Sequence, residues 1–248
     1  MSIPTLDPVV ARLTLAELLS GRRALALALL PAVLVAVAVV VRVVLGEGDP
    51  ADGAGLVDVL GLATMLPVLC VVVGTSVVGP EIEDGSILYL LSKPVRRSSI
   101  VLTKLLVAVA ATWVLGAVPV GVASLVLVGT TDGVALATTL VALVASVAYC
   151  ALFVMLGVLT GNAVVVGLLY ALIWETTVGT IVPGARALSV RQWAGSVGEA
   201  VLGRDAARLG LTSDVSLAVG VVLLVVLVST TTTVAVRRLG ALSLTSRE

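Results

Sequence analysis

Side chains able to do chemistry are few in this chain, and their types and spacing exclude more than they suggest. There is no His, which removes the commonest general base and metal ligand. Cys70 and Cys150 each sit in the middle of an apolar run, lack metal-ligand spacing, and are expected to be small buried apolar side chains. No Gly-x-x-x-x-Gly-Lys-Ser/Thr occurs, so the chain has no P-loop cradle for nucleotide phosphates. A Gly-x-Ser-x-Gly nucleophile elbow and paired carboxylates within an apolar run are missing too. Polarity gathers instead at three places. Glu81, Glu83 and Asp84 precede a short apolar stretch; Trp174 and Glu175 come late in a long one. Ser229 to Thr233 set hydroxyls in succession, where their natural partners are the carbonyls of their own helix.

The elements that must position these residues follow from composition. Hydrophobic residues form 59% of the 248 and charged residues 12%, with a mean hydropathy of +1.22, which leaves too little polar surface to clothe a soluble core. Lys plus Arg equals Asp plus Glu at fifteen each, so net charge predicts no nucleic-acid partner. A helix needs about 20 apolar residues to cross roughly 30 Å of hydrocarbon. Six segments reach that length: 24–45, 56–79, 99–128, 134–160, 163–183 and 214–236. The predicted fold is an all-α polytopic membrane protein, one transmembrane domain over 1–248. The first span is longer than a signal-peptide core and no small-residue cleavage motif follows it, so it is predicted to be retained. The fourth and fifth spans are separated only by Gly161-Asn162, and Gly157-x-x-x-Gly161 allows a close helix approach there.

Basic residues set the expected orientation. With both termini cytoplasmic, Arg12, Arg22, Arg23, Lys93, Arg96, Arg97, Lys104, Arg237, Arg238 and Arg247 lie inside, against Arg42, Arg186, Arg191, Arg204 and Arg208 outside. Apart from Arg42, Asp58, Lys104 and Glu175, placed within a few turns of span ends, the spans are free of charge. A charge at the bilayer centre costs about 2.5–3.5 kcal/mol, which ion-coupled carriers accept for the sake of a titrating group. None is expected here, so the energy for any transport should come from another chain. High Ala, Val and Leu with scarce Lys suggests a prokaryotic, GC-rich genome and hence a cytoplasmic cell membrane.

Three segments lie between or before the spans. Residues 7–23 begin with Asp7-Pro8, a cap and first-turn pair, and alternate apolar with charged residues, as a helix lying on the inner leaflet would. Residues 80–92 open at Pro80, carry Glu81, Glu83 and Asp84 where a helix dipole favours negative charge, continue through Ile87, Leu88, Leu90 and Leu91, and stop at Lys93-Pro94. A helix this short cannot bury its own apolar residues. It is either a docking surface or an inter-span loop whose basic residues meet lipid headgroups. Residues 184–211 contain Val190, Trp193, Ala194, Val197 and Val201 on one helical face, which predicts a helix at the outer interface and a second short turn before Ser213 or Asp214 opens the last span. Trp174 and Glu175 would then end the fifth span at headgroup level or meet a substrate.

The run from Glu81 to Lys104, with Asp84-Gly85-Ser86, Leu90-Leu91, Pro94-Val95-Arg96-Arg97 and the Lys entering the third span, resembles the ABC-2 type transporter permeases. Ser86 stands where that family usually has Thr, and Arg96 where it usually has Ser. The resemblance implies a coupling helix that inserts into a cleft of an ATPase subunit, with Glu81, Glu83, Asp84, Gly85, Ser86, Leu90 and Leu91 at the contact and Pro94 and Arg97 setting the return to the membrane. It further implies two cytosolic ATPase subunits that bind ATP and Mg, no cofactor in this chain, a second permease copy, identical or related, and an exit gate built from the short outer helices. By the same resemblance the pathway is formed mainly by spans two and five, where Thr75, Ser76, Trp174 and Glu175 are the candidate lining. Two function classes follow: a permease subunit of an ATP-driven exporter, and a membrane scaffold or assembly factor that moves nothing. Largely uncharged walls favour a lipid-like cargo only weakly.

Overall fold

The computed structural model describes residues 8–18, 21–46, 48–79, 97–130, 133–178 and 185–245. Every regular element among them is helical. Helix α1 (Pro8–Leu18) starts at the predicted proline and is followed by α2 (Gly21–Leu45). Helix α3 (Pro50–Ser76) begins earlier than its apolar run: Asp49 caps it by accepting from the Ala51 N–H, and Pro50 takes the first turn, where a missing N–H is harmless. Helix α4 covers 97–127, α5 is Val134–Leu159, and α6 covers 163–178. A short 3-10 turn (Ala185–Leu188) leads into α7 (Val190–Leu202), then α8 (Asp205–Arg208) and the long α9 (Leu217–Thr245).

Five of these helices are long and apolar enough to cross a membrane: Leu27–Leu45, Pro50–Ser76, Ser98–Leu127, Val134–Leu159 and Leu217–Gly240. The chain is a multi-pass membrane protein. The fifth predicted span differs. Its described apolar helix, Ala163–Glu175, is shorter than the others, and residues 179–184, which would complete it, lie outside the described residues. So does the 80–96 run with Glu81, Glu83, Asp84, Gly85, Ser86, Leu90, Leu91 and Pro94; Arg97 opens α4.

Helix α5 is the axis of the bundle. It packs against α3, α4, α6, α7 and α9, while α2 lies outside α4 and α1 lies across the start of α4. Small residues make this packing possible. Gly157 sits against the Thr75 backbone, and Gly167 against Val71 and Phe153, so α3, α5 and α6 approach one another with little between them. Of the predicted Gly-x-x-x-Gly pair only Gly157 makes such a contact; nothing faces Gly161. Cys70 and Cys150 are both buried free thiols. Among the hydroxyls of 229–233, Thr230, Thr231 and Thr233 bond carbonyls of their own helix.

Three helices widen into π-helical turns: α3 over Val57–Met65, α4 over Trp113–Ala117 and α6 over Tyr170–Val178. Two of them have a visible cause. The stretch in α3 runs up to Leu66-Pro67 and that in α4 up to Val118-Pro119. A proline ring clashes with the carbonyl four residues before it and donates nothing in return. Adding a residue to the preceding turn moves that carbonyl away, and the N–H groups of Leu66 and Val118 accordingly reach back five residues, to Gly61 and Trp113.

Candidate functional site

Charge enters the bundle around α7. This helix packs between α5 and α9. Two glycines let it in. A Cβ on Gly198 would meet Val141 of α5 at 2.6 Å, and one on Gly220 of α9 would meet the Trp193 carbonyl at 2.8 Å. The buried residues of α7 are Val190, Trp193, Ala194, Ser196, Gly198 and Leu202; of the predicted apolar face, Val190, Trp193 and Ala194 are buried, Val197 is half-buried and Val201 is exposed. Trp193 is buried and donates its indole N–H to the Ala187 carbonyl at 2.6 Å.

The start of α7 is held by Glu175. Ser189, at the cap position, has extended backbone, and its hydroxyl turns away from its own helix to donate to Glu175 Oε2 at 2.5 Å. The Val190 N–H donates to Glu175 Oε1 at 3.1 Å, and the Tyr170 hydroxyl donates to the same oxygen at 3.1 Å. A carboxylate from another helix thus satisfies one of the orphan N–H groups of α7, at the end where its dipole favours a negative charge. Tyr170 and Glu175 are five positions apart, a spacing that shares a face in a π-helical turn but diverges in an α-helix. Glu175 is only 3% exposed, so it is a buried residue of the packed interior.

The next residue makes a second tie. Arg191 Nε donates to Asp58 Oδ1 at 3.3 Å, and Nη2 makes a closer contact with Oδ2. Asp58 lies in the π-helical turn of α3, so both carboxylates that hold α7 come from widened turns. The two-point geometry is one a planar guanidinium provides and an ammonium does not. Lower ties join α7 to the approach to α9. Ser213 donates its N–H to Glu199 Oε2 at 2.9 Å and its hydroxyl to the Gln192 carbonyl at 2.8 Å, while the Asp214 N–H reaches Gln192 Oε1 at 3.2 Å.

Beneath α7 these residues enclose a cavity of about 250 Å³. Asp58 and Leu62 of α3, Thr138 and Val141 of α5, and Glu175 of α6 form its walls, with Ser189, Arg191, Gln192 and Leu202 above and Asp214 at the side. Of the four residues predicted to line a pathway, Glu175 is the one in the lining of this cavity. Trp174 is half-buried and outside the cavity, and Thr75 and Ser76 bond their own helix, to the carbonyls of Val71 at 2.7 Å and Val73 at 3.0 Å. Asp58, Arg191, Gln192 and Thr138 were not singled out as site residues from sequence. The usable signal was Asp58 itself, a charge in an apolar run that has to find a partner.

At the other end of α3 stands a buried lysine. Lys104 of α4 is 1% exposed and its Nζ donates to the Val77 carbonyl at 2.5 Å, one of the carbonyls left open where α3 ends. It ties α4 to α3 immediately before the 80–96 run.

Residues 15–189, from within α1 to the cap residue of α7, match the family model described as ABC-2 family transporter protein. No curated protein sequence matches the chain.

Proposed function

This chain belongs to the ABC-2 family of transporter membrane proteins, and we propose from that premise that it is the permease subunit of an exporter driven by ATP hydrolysed on a separate chain. The observation that carries the reading is the family match, which spans the acidic-then-apolar segment at 81–94 and the cavity residues Asp58, Leu62, Thr138, Val141, Glu175 and Ser189, and stops before Arg191.

In this reading α6 continues to residue 183 as a sixth crossing, and both termini are cytoplasmic. Residues 7–23 lie on the inner leaflet, a placement supported by Leu13 and Leu15 of α1, which are exposed although apolar. Residues 80–92 form the coupling helix, with Glu81, Glu83, Asp84, Gly85, Ser86, Leu90 and Leu91 at an ATPase subunit and Pro94 and Arg97 at the return. Two such subunits bind ATP and Mg, and a second permease copy completes the pathway. Helix α7, held by Asp58 and Glu175, closes that pathway on the outer side. Closure of the ATPases would pull on the lower end of α3, where Lys104 ties it to α4, and so reach the two carboxylates through α3 and its packing against α6.

The test is purification of the tagged chain from native membranes, with and without Glu83→Arg plus Leu90→Asp, followed by an ATPase assay. A P-loop protein that accompanies the intact chain and is lost with the double variant supports the reading. An intact chain that brings down no ATPase overturns it in favour of a scaffold.

A further inference from the structure

Three observations bear on the cavity beneath α7. First, Glu175 lines it at 3% exposure, and the partners of its carboxylate, Tyr170, Ser189 and the Val190 N–H, are all neutral donors. Second, the hydroxyl of Tyr149 on α5, behind the cavity lining, is fully buried and makes no hydrogen bond of normal geometry. An orphaned buried hydroxyl costs about 1–3 kcal/mol unless something completes it. Third, the wall carries Asp58, Glu175 and Asp214 against one guanidinium, Arg191, which is already committed to Asp58.

Neutral donors satisfy the lone pairs of a carboxylate but leave its charge in place. In an interior of low dielectric that charge attracts a cation within a few ångströms far more strongly than it would in water. An anion brought to the same wall would meet uncompensated carboxylates, and a neutral ligand would gain nothing from them. Leu62, Val141, Leu202 and Leu211 add apolar surface to a wall that also carries Thr138, Ser189, Gln192 and Thr212. The volume of about 250 Å³ equals about eight molecules of liquid water. That suits a small body with a charged head.

We propose that this cavity binds a small organic cation, an amine or quaternary ammonium head directed at Glu175 with its apolar body against Leu62, Val141 and Leu202. Its use as a transport site rests on the permease reading; the binding itself does not.

The test is equilibrium binding to the full chain in nanodiscs, with empty nanodiscs as the baseline for partition into lipid. The probes share one skeleton: 4-phenylbutylamine, 4-phenylbutanol and 4-phenylbutyrate, which are cationic, neutral and anionic at pH 7. The amine is expected to bind about tenfold or more tighter than the alcohol and the acid. Glu175→Gln is expected to erase that preference while sparing alcohol binding, and Asp214→Asn, an exposed change that leaves the fold alone, to weaken the amine about two- to threefold. Alcohol or acid binding as tight as the amine overturns the proposal. So does amine binding unchanged in both variants. If Glu175→Gln fails to fold, the order of the three probes on the unaltered chain and the Asp214→Asn result decide it. Recovery of an ATPase with the chain is a separate readout, so a failed cation site and a failed permease reading are distinguishable.

Discussion

Asp58 and Arg191, 133 positions apart in the chain, meet as a two-point ion pair that fixes the first turn of α7 to the widened turn of α3. The Arg and Asp side chains keep 26% and 22% of their exposure, so water reaches both and weakens the pair. Asp58→Asn and Arg191→Gln are each expected to destabilise the purified chain by about 1–3 kcal/mol. Exchanging the charges, Asp58→Arg with Arg191→Asp, should recover part of that loss. Thermal unfolding in detergent measures all three, and a double variant no better than the sum of the singles would show that the pair carries no coupling.

Glu175 answers three donors at once, so its loss should cost more than the loss of any one of them. Glu175→Ala strands the Ser189 hydroxyl, the Val190 N–H and the Tyr170 hydroxyl, at about 1–3 kcal/mol for each buried group left unpaired. Tyr170→Phe removes one donor and its partner keeps two others, for an expected cost of about 1 kcal/mol. Chemical denaturation of the two variants side by side checks the order. Equal losses would mean that the carboxylate does not organise the start of α7.

Helix α7 fits its slot with no room on the α5 side. Gly198→Leu drives atoms into Val141 and is expected to cost about 1–3 kcal/mol, or to push α7 out of the slot. Gly195→Ala is the control, since its new Cβ would come no closer than 4.0 Å to Ser213. Protease sensitivity of the 203–213 segment reads the displacement directly. It should rise in the first variant and stay unchanged in the second.

Lys104 bonds a carbonyl at the end of α3 from within α4, fully inside the protein. Lys104→Met keeps the length of the stem and removes the donor, leaving the Val77 carbonyl without it at a cost of about 1–3 kcal/mol. Because this tie directly precedes the 80–96 run, the same variant is expected to reduce ATPase recovery in the co-purification. A stability loss with full ATPase recovery would confine Lys104 to a structural role.

Much of the helical layout could be read from the chain because a bilayer dictates it. Apolar runs of sufficient length bounded by Gly, Pro and Asp become helices, and α2, α3, α4, α5 and α9 follow the predicted runs to within a few residues or a turn or two. The start of α1 at Pro8 was equally legible, and so was the family, from a short motif of unusual order. The site was not. Glu175 looked like the end of a span, because nothing local says that Ser189 and Val190 return to meet it. Asp58 and Arg191 pair across the fold, and that depends on where α7 lodges. Helix α7 buries more than its predicted apolar face for the same reason. Its pattern suggested one wet side, but a helix enclosed by α5 and α9 buries Ser196 and Gly198 as readily as Trp193. Widened turns escape periodicity too, although Pro67 and Pro119 marked two of them.

The turn at Gly161-Asn162 leaves α5 and α6 almost no slack, and Gly157 and Gly167 bring both against α3. Three helices so closely packed tend to move together. A displacement applied at one end is passed along them to the other. What gives way must be the cheapest joint there, and that is the polar seam between Glu175, Asp58 and the first turn of α7. The bundle therefore concentrates mechanical load on two carboxylates, where a small movement exchanges a few hydrogen bonds instead of unpacking a hydrophobic core.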